Sequence, residues 1–209
     1  MNRSNSAAVI FALMVLSLAG CGTFSARPDP SRFFTLSALA PADGAMPKES
    51  NNPDRMLLGI GPIKFPGYLD RHELVVRSAQ NRFEVSENDR WAEPLEENFT
   101  RVLSRNLSAL LKTDRIVSYP WPNDRKPNYL VEVEVLQFEG NSQGDAQLSA
   151  RWAVIDGNNK KPLNLKVSYL TRQAKEKSTD GTVAALSEAL GDFSREIADA
   201  VNIIDGKRK

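Results

Sequence analysis

The sequence predicts an α/β (α+β) fold in which a mixed, largely antiparallel sheet is flanked by two amphipathic helices. In the second half, three consecutive segments alternate apolar and polar residues, which is typical of antiparallel strands with one buried and one solvated face. Two longer segments repeat apolar residues at steps of three and four, which is typical of helices with one apolar stripe. A sheet with both helices packed on it is the simplest way to bury both stripes.

The composition limits the classes of function. With 27 Lys+Arg and 26 Asp+Glu among 209 residues, the net charge of +1 gives no bulk electrostatic attraction to nucleic acid. The single cysteine excludes an intramolecular disulfide and any multi-cysteine metal site. The single histidine, His72, would have to carry any histidine-dependent catalysis alone. We therefore predict neither a cofactor nor a metal.

The first twenty residues are predicted to be a signal peptide. Arg3 precedes an apolar run over residues 7–19, which is too short to span a bilayer as a helix because a span needs about 20 apolar residues. The run ends in Leu18-Ala19-Gly20-Cys21, which resembles the lipobox of bacterial lipoproteins. The alternative is an ordinary signal peptide followed by a coincidental cysteine.

The resemblance to a lipobox implies a covalent anchor at Cys21. In such proteins the signal peptide is cleaved before the cysteine, whose sulfur carries diacylglycerol and whose new amine carries a further acyl chain such as palmitate. Two or more acyl chains give stable anchoring. Gly22 follows the cysteine where an aspartate would imply retention at the inner membrane, so the resemblance implies the periplasmic face of the outer membrane.

Behind the lipidated cysteine, residues 21–31 are predicted to form a flexible tether, and residues 32–209 a single domain. The tether is rich in proline and small residues and lacks apolar periodicity. The first part of the domain contains short segments rich in strand-forming residues, separated by a loose segment over residues 40–53 and by a turn over residues 64–71. The predicted strands cover residues 33–36, 57–63, 73–77 and 82–85, and Pro62 is expected to mark the end of the second.

The first helix is predicted from an apolar stripe that begins at Leu95 and ends at Leu111. Asp89 and the acids Glu93, Glu96 and Glu97 lie near its start, where the helix dipole favours negative charge. Trp91 is expected to start this helix against the sheet. A short strand is predicted over residues 115–119.

Three longer strands and a second helix complete the prediction. The strands cover residues 129–135, 146–154 and 163–169, with an Asp-Gly-Asn-Asn turn between the last two. The second helix spans residues 182–204, with Asp180 as its cap. In the third strand the alternation predicts one buried apolar row, formed by Leu163, Leu165, Val167 and Tyr169.

Several motifs resemble those of the ABC-type transport auxiliary lipoproteins, the PqiC (YmbA) family. The motifs occur in the same order as in that family, and the similarity covers nearly all of the chain after Cys21. One departure is His72-Glu73, where relatives often have a proline and a polar residue. The motifs are Phe33-Phe34-Thr35-Leu36, Gly59-Ile60-Gly61-Pro62-Ile63, Pro66-Gly67-Tyr68-Leu69-Asp70-Arg71, Glu73-Leu74-Val75-Val76-Arg77 and Asn88-Asp89-Arg90-Trp91-Ala92-Glu93-Pro94-Leu95.

The resemblance implies a fold related to the N-terminal domain of TolB and a role without catalysis. Members of the family are thought to assist MCE-type systems that move lipid between the inner and outer membranes and support membrane integrity. The implied partners are an MCE-domain protein and an integral inner-membrane subunit, and the implied assembly is a ring-shaped homo-oligomer. An envelope-scaffolding lipoprotein with no transport role is the alternative function.

The loop after the second strand is the candidate partner or oligomer interface, because a stiff loop with large apolar residues loses little entropy on binding. Tyr68 and Leu69 could instead plug the edge of the sheet, and Asp70 and Arg71 could be a solvated turn. Trp91 is expected to be an anchor in the core, because a tryptophan in such a position is more often buried than in contact with cargo. The candidate interface comprises Pro62, Phe65, Pro66, Tyr68, Leu69, Asp70 and Arg71.

The sequence predicts no catalytic residues. Gly59-Ile60-Gly61 lacks the third glycine of a dinucleotide-binding loop. His72 is expected to be solvated, which leaves a periplasmic hydrolase as the least favoured function. Glu132 and Glu134 resemble paired carboxylates, although the solvated face of a strand explains them equally well.

Overall fold

The computed structural model describes residues 29–40, 56–122 and 125–207. The elements within these residues belong to one compact unit that begins at Ser31. The predicted signal peptide, the lipobox residues Leu18, Ala19 and Gly20, the anchor Cys21 and most of the predicted tether lie outside the described residues.

Eight strands and two long helices make up the described domain, together with a short 3-10 helix at Gly67–Leu69. The helices are α1 (Leu95–Leu111) and α2 (Thr179–Gly206). The strands are β1 (Arg32–Phe34), β2 (Leu58–Lys64), β3 (Glu73–Ala79), β4 (Arg82–Trp91), β5 (Ile116–Ser118), β6 (Tyr129–Asn141), β7 (Ala146–Asp156) and β8 (Pro162–Arg172).

All eight strands join one mixed sheet organised around β6, the longest strand. One edge of β6 pairs with β7, which pairs with β8, and both pairings are antiparallel. The other edge pairs in parallel with β2 along its first half and with β3 at its end. β5 extends the sheet beyond β2, whereas β4 and β1 extend it beyond β3. Most paired residues lie in antiparallel ladders, so the predicted sheet is confirmed.

Both helices lie on the same face of the sheet and contact each other. The ring of Phe99 in α1 makes an edge contact with Phe138 of β6 at 5.2 Å between centroids. The ring of Phe193 in α2 makes an edge contact with Trp152 of β7 at 6.1 Å. Both phenylalanines are fully buried, and they approach each other at 6.4 Å. This aromatic cluster lies at the centre of the core.

Several predicted element boundaries are wrong, among them the end of β6, which was predicted at residue 135 and lies at Asn141. β2 continues through Pro62 to Lys64. β4 continues to Trp91, which therefore ends a strand instead of starting α1, because residues 89–91 pair with β1 and Arg90 also pairs with β3. α2 starts at Thr179, and its cap is Ser178, whose side chain accepts the backbone N–H of Gly181 at 3.0 Å. The predicted cap, Asp180, lies inside the first turn of this helix.

The predicted buried row of β8 is also wrong, because these four side chains face solvent. Their exposed fractions range from 38% for Val167 to 77% for Tyr169. The opposite row of β8 faces α2, and there Ser168 is buried. The strand itself was predicted, but it runs from Pro162 to Arg172, beyond both predicted ends at residues 163 and 169, and its two faces are inverted.

The chemistry of α2 explains this inversion. The Oε2 atom of Glu196 accepts a short hydrogen bond of 2.5 Å from the Ser168 hydroxyl and lies 2.9 Å from the Lys166 Nζ. Asp192 forms an ion pair with Arg172 at the end of β8. Because α2 presents carboxylates to β8, the polar row of the strand faces the helix and the apolar row faces outward.

Candidate functional site

The loop that was predicted as an interface lies alongside the middle of β6, between the points where β2 and β3 pair with that strand. Its backbone is closed by hydrogen bonds, of which Leu69 N–H to Pro66 O at 2.9 Å is the first. The Leu69 side chain is 4% exposed and belongs to the core. The ring of Phe65 contacts Phe99 edge-on at 5.2 Å. Much of the loop is therefore fixed by the domain itself.

A buried carboxylate, Glu139, holds this loop to the sheet. Its side chain is fully buried and accepts hydrogen bonds from the Tyr68 hydroxyl at 2.8 Å and from Arg77 Nε at 2.8 Å. The amide of Gln137 and the backbone N–H of Phe138 also donate to it, at 3.0 and 2.9 Å. A buried carboxylate that accepts four hydrogen bonds fixes the positions of the groups that donate to it.

Tyr68, Phe83 and Arg77 form a stack over Glu139. The Tyr68 and Phe83 rings stack at 4.4 Å, and the Arg77 guanidinium lies 4.3 Å from the Phe83 centroid. Burial, followed by the hydrogen bond to Glu139 and the charge of that carboxylate, raises the pKa of Tyr68 well above that of a free phenol. Tyr68 is therefore a protonated donor at physiological pH. Sequence reasoning missed Glu139, because the strand predicted there ended at residue 135, whereas β6 continues to Asn141.

The outward-facing members of the predicted interface are divided between two surfaces. Asp70 and Arg71 are exposed and line a cleft of about 440 Å³ between the loop and the first turn of α1. Neither side chain forms an ion pair with another described residue. The guanidinium of Arg77 pairs with Glu139 and not with Asp70. Pro62 lines a separate shallow groove on the uncovered face of the sheet. The structure therefore brings Phe65, Leu69, Asp70 and Arg71 together at one cleft and places Pro62 elsewhere.

The last of the family motifs, Asn88–Leu95, has structural contacts in the described domain. Trp91 is 5% exposed, and its backbone N–H donates to His72 O at 2.6 Å. Asp89 accepts from Arg32 at 2.7 Å and from the Thr179 hydroxyl at 2.6 Å. Trp91 is a core anchor, as was expected of it.

Glu93 in the same motif joins the entry of α1 to the first strand. Its Oε1 atom accepts the Asn98 side-chain amide at 2.5 Å, and the carboxylate also pairs with Arg101. The hydrogen bond from Arg101 lowers the pKa of Glu93, against the opposing effect of burial. Asn98 in turn accepts the backbone N–H of Leu36 at 3.0 Å, so this network fixes the segment that follows β1.

A further cleft, with a volume of about 610 Å³, lies between the β3–β4 hairpin, the end of β6 and the start of α2. Leu74, Trp91 and Phe138 contribute apolar surface to it. Its two buried acids, Asp89 and Glu139, already have hydrogen-bond donors within the domain. These acids are therefore engaged in structural contacts.

The residues weighed for catalysis are dispersed in the structure. His72 is exposed next to Arg71. Glu132 and Glu134 lie on the uncovered face of the sheet, where Glu134 pairs with Arg151 at 2.5 Å. Among the described residues, no three His, Cys, Asp or Glu side chains are grouped to hold a metal ion. No helix in the described part of the chain is long and apolar enough to cross a bilayer.

Comparisons with known proteins give a consistent result. Residues 34–198 match the family model of the ABC-type transport auxiliary lipoprotein component. The chain is 23% identical over 140 residues to the intermembrane transport lipoprotein PqiC of Escherichia coli K12, which covers 67% of this chain and 70% of that protein. The PqiC protein of Shigella flexneri matches with the same identity and coverage.

Solved structures show the same fold. A crystal structure of an uncharacterized protein superposes with a TM-score of 0.67 at 20% identity, over 82% of this chain and 98% of that one. A protein of Xanthomonas campestris gives a TM-score of 0.67 at 15% identity, over 85% and 98% of the two chains.

Proposed function

The chain belongs to the family of ABC-type transport auxiliary lipoproteins, and from that premise we propose that it is a non-enzymatic lipoprotein of the outer membrane that docks an MCE-domain protein. In this role it completes a lipid transport path from an inner-membrane subunit and supports membrane integrity. The observation that carries the proposal is the family match over residues 34–198, which includes α1 and most of the sheet and of α2.

Cys21 is the anchor in this proposal. It is the only cysteine of the chain and follows Leu18-Ala19-Gly20 directly. Acyl chains on this residue would hold the protein at the periplasmic face of the outer membrane. Residues 22–31 could place the domain at most about 35 Å from the anchor when fully extended.

The cleft beside α1 is the proposed docking surface. Asp70 and Arg71 are exposed there with no ion-pair partner among the described residues, so both charges are available to another protein. Phe65 and Leu69 anchor the loop in the core, so the exposed pair is presented on a fixed backbone. A preformed surface of this kind loses little entropy on docking. Pro62, Pro66 and Tyr68 stay in the proposed interface as residues that shape or flank the loop, and a ring-shaped homo-oligomer is part of the same proposal.

The anchor is tested by membrane fractionation of the full-length protein. Cys21→Ser is expected to abolish incorporation of labelled palmitate and to remove the protein from outer-membrane vesicles. Gly22→Asp is expected to keep the label but move the protein to inner-membrane vesicles, whereas the control Gly22→Ala is expected to change neither. If Cys21→Ser still fractionates with the outer membrane, the anchor is wrong.

The partner is tested by cross-linking in intact cells. We expect the wild-type chain to recover an MCE-domain protein, and Asp70→Lys to reduce that recovery. Asp199→Lys, which reverses an exposed acid on α2, serves as the control and is expected to have no effect. Recovery of cell-wall proteins without an MCE protein would instead support a scaffolding role.

A further inference from the structure

β8 leaves a long edge of the sheet free. Among the described residues, this 11-residue strand pairs only with β7, along its whole length from Arg172 to Pro162. Its other edge therefore presents unpaired backbone N–H and C=O groups over about 37 Å. Such an edge is a template for a further strand.

The side chains of β8 leave this edge unprotected against pairing with another strand. The outward row consists of Leu163, Leu165, Val167, Tyr169 and Thr171, and it contains no charged residue. The charged residues Lys166 and Arg172 are paired with carboxylates of α2. Natural edge strands usually carry an outward charge, a central proline or a bulge. The only proline of β8 is its first residue, Pro162, so these protections are missing from its centre.

We propose that β8 pairs antiparallel with β8 of a second copy of this chain, with Val167 at the two-fold axis. Strand length favours this occupant over the opposite edges of the sheet. β1 and β5 have only three residues each. β5 is followed by Pro120 and Pro122, which cannot donate backbone hydrogen bonds. Only β8 itself offers a matching edge of eleven residues among the described strands.

The proposed register is self-complementary on the uncovered face. With Val167 opposite Val167 of the second copy, Leu165 lies opposite Tyr169 and Leu163 lies opposite Thr171. Each exposed apolar side chain thereby gains a cross-strand neighbour, and aromatic–aliphatic pairs of this kind stabilise antiparallel strands. No two like charges lie directly opposite each other in this register.

The helix-facing side is complementary in charge. In the same register Lys166 lies opposite Ser168 of the second copy, and Ser168 is the residue that donates to Glu196. Each lysine therefore approaches a second Glu196 in addition to the one with which it already pairs. Two lysines and two glutamates would alternate across the two-fold axis. This contact closes at two copies and is therefore separate from the head-to-tail contact that a ring needs.

Disulfide trapping in the full-length protein tests the pairing. Opposed residues of antiparallel strands have Cα atoms about 4.5 or 5.5 Å apart, which a disulfide can bridge. On mild oxidation, Val167→Cys is expected to move from the monomer to the dimer position on a non-reducing gel. Leu136→Cys is the matched control, because Leu136 is 37% exposed and Val167 is 38% exposed, but Leu136 lies on β6. Both variants keep Cys21, so any cross-link through that residue appears in both.

Two further variants test the register. Leu165→Cys alone is expected to stay monomeric, and Leu165→Cys combined with Tyr169→Cys is expected to form dimers. Val167→Lys places two like charges at the axis and is expected to dissociate the uncross-linked dimer, as measured by light scattering. Leu136→Lys is expected to leave the dimer intact.

Three outcomes would overturn the proposal. They are a Val167→Cys variant that stays monomeric, one that cross-links to a different protein, and one that cross-links no better than Leu136→Cys. The proposal does not depend on the proposed function. Trapping of β8 can succeed while the MCE partner is absent, and the partner can be recovered while trapping fails.

Discussion

β6 and β8 have the same alternating sequence pattern but opposite environments. In β6 the apolar row, which includes Val131, Val133 and Val135, is buried under the helices. In β8 the apolar row is exposed and the polar row lies under α2. Alternation shows that the two faces of a strand differ in polarity, whereas the chemistry of the element packed on the strand decides which face is buried.

The largest expected effect is a difference in stability between a substitution in β6 and one in β8. Phe138→Ala in β6 removes a ring packed against Phe99, and we expect it to lower the free energy of unfolding by about 3–5 kcal/mol. Tyr169→Ala in β8 removes an exposed ring and should change this free energy by less than about 0.5 kcal/mol. Urea unfolding of the full-length protein at low concentration, where self-association contributes little, measures both. Equal losses would contradict the exposed placement of the β8 row.

The next largest effect concerns the polar row of β8. Ser168 accepts the Trp152 indole N–H at 2.9 Å and donates to Glu196. Ser168→Ala leaves the buried indole without its acceptor, so we expect a loss of about 1–3 kcal/mol in the free energy of unfolding. Thr171→Ala, an exposed hydroxyl on the same strand, is the control and should be nearly neutral. A neutral Ser168→Ala variant would place this row outside the core.

Elements with strong periodicity could be predicted from the sequence. The apolar stripe of α1 and the alternation of β6 to β8 identified those elements, because burial of one face leaves a repeat in the sequence. The inverted faces of β8 depend on Asp192 and Glu196 of α2, which lie 20 residues after Arg172 and 28 residues after Ser168, respectively. The i, i+4 spacing of Asp192 and Glu196 places both acids on one face of α2, but the strand that they contact could be identified only from the packing.

The candidate site was predicted only in part for a similar reason. The loop was identified by its motif, but the residues that fix it come from distant segments. Glu139 lies 71 residues from Tyr68 and 62 residues from Arg77. No local pattern joins these three side chains, so neither the buried carboxylate nor the division between anchored and exposed loop residues could be derived from sequence.

A smaller effect is expected at the end of β6, where a polar contact is buried in the same strand as the apolar row. Tyr68→Phe removes one of four donors to Glu139, so we expect a loss of about 0.5–1.5 kcal/mol in the free energy of unfolding. Tyr119→Phe, which alters an exposed tyrosine, is the control. A loss as large as that of Phe138→Ala would mean that the whole loop detaches.

The contribution of Tyr68 should also depend on pH. Its folded-state pKa is raised above the unfolded value of about 10, so its stabilising effect is fully present below that pH and is lost as the pH rises further. The difference in stability between wild type and Tyr68→Phe should therefore be largest near neutral pH and decrease above pH 10. If the difference in stability instead increased above pH 10, the role of Tyr68 as a hydrogen-bond donor to Glu139 would be contradicted.

The smallest loss of stability is expected from the ion pair between Lys166 and Glu196, which lies beside Ser168 between β8 and α2. Lys166 and Glu196 are 48% and 28% exposed, so solvent screens their attraction even at 2.9 Å. We expect Lys166→Met to cost about 0–1 kcal/mol and the cost to shrink in 1 M salt. Lys175→Met, at a longer and more exposed pair with Glu188, is the control and should cost less. If Lys166→Met proved as costly as Ser168→Ala and insensitive to salt, the charge of the β8 polar row, and not its buried hydroxyl, would be what holds this face against α2.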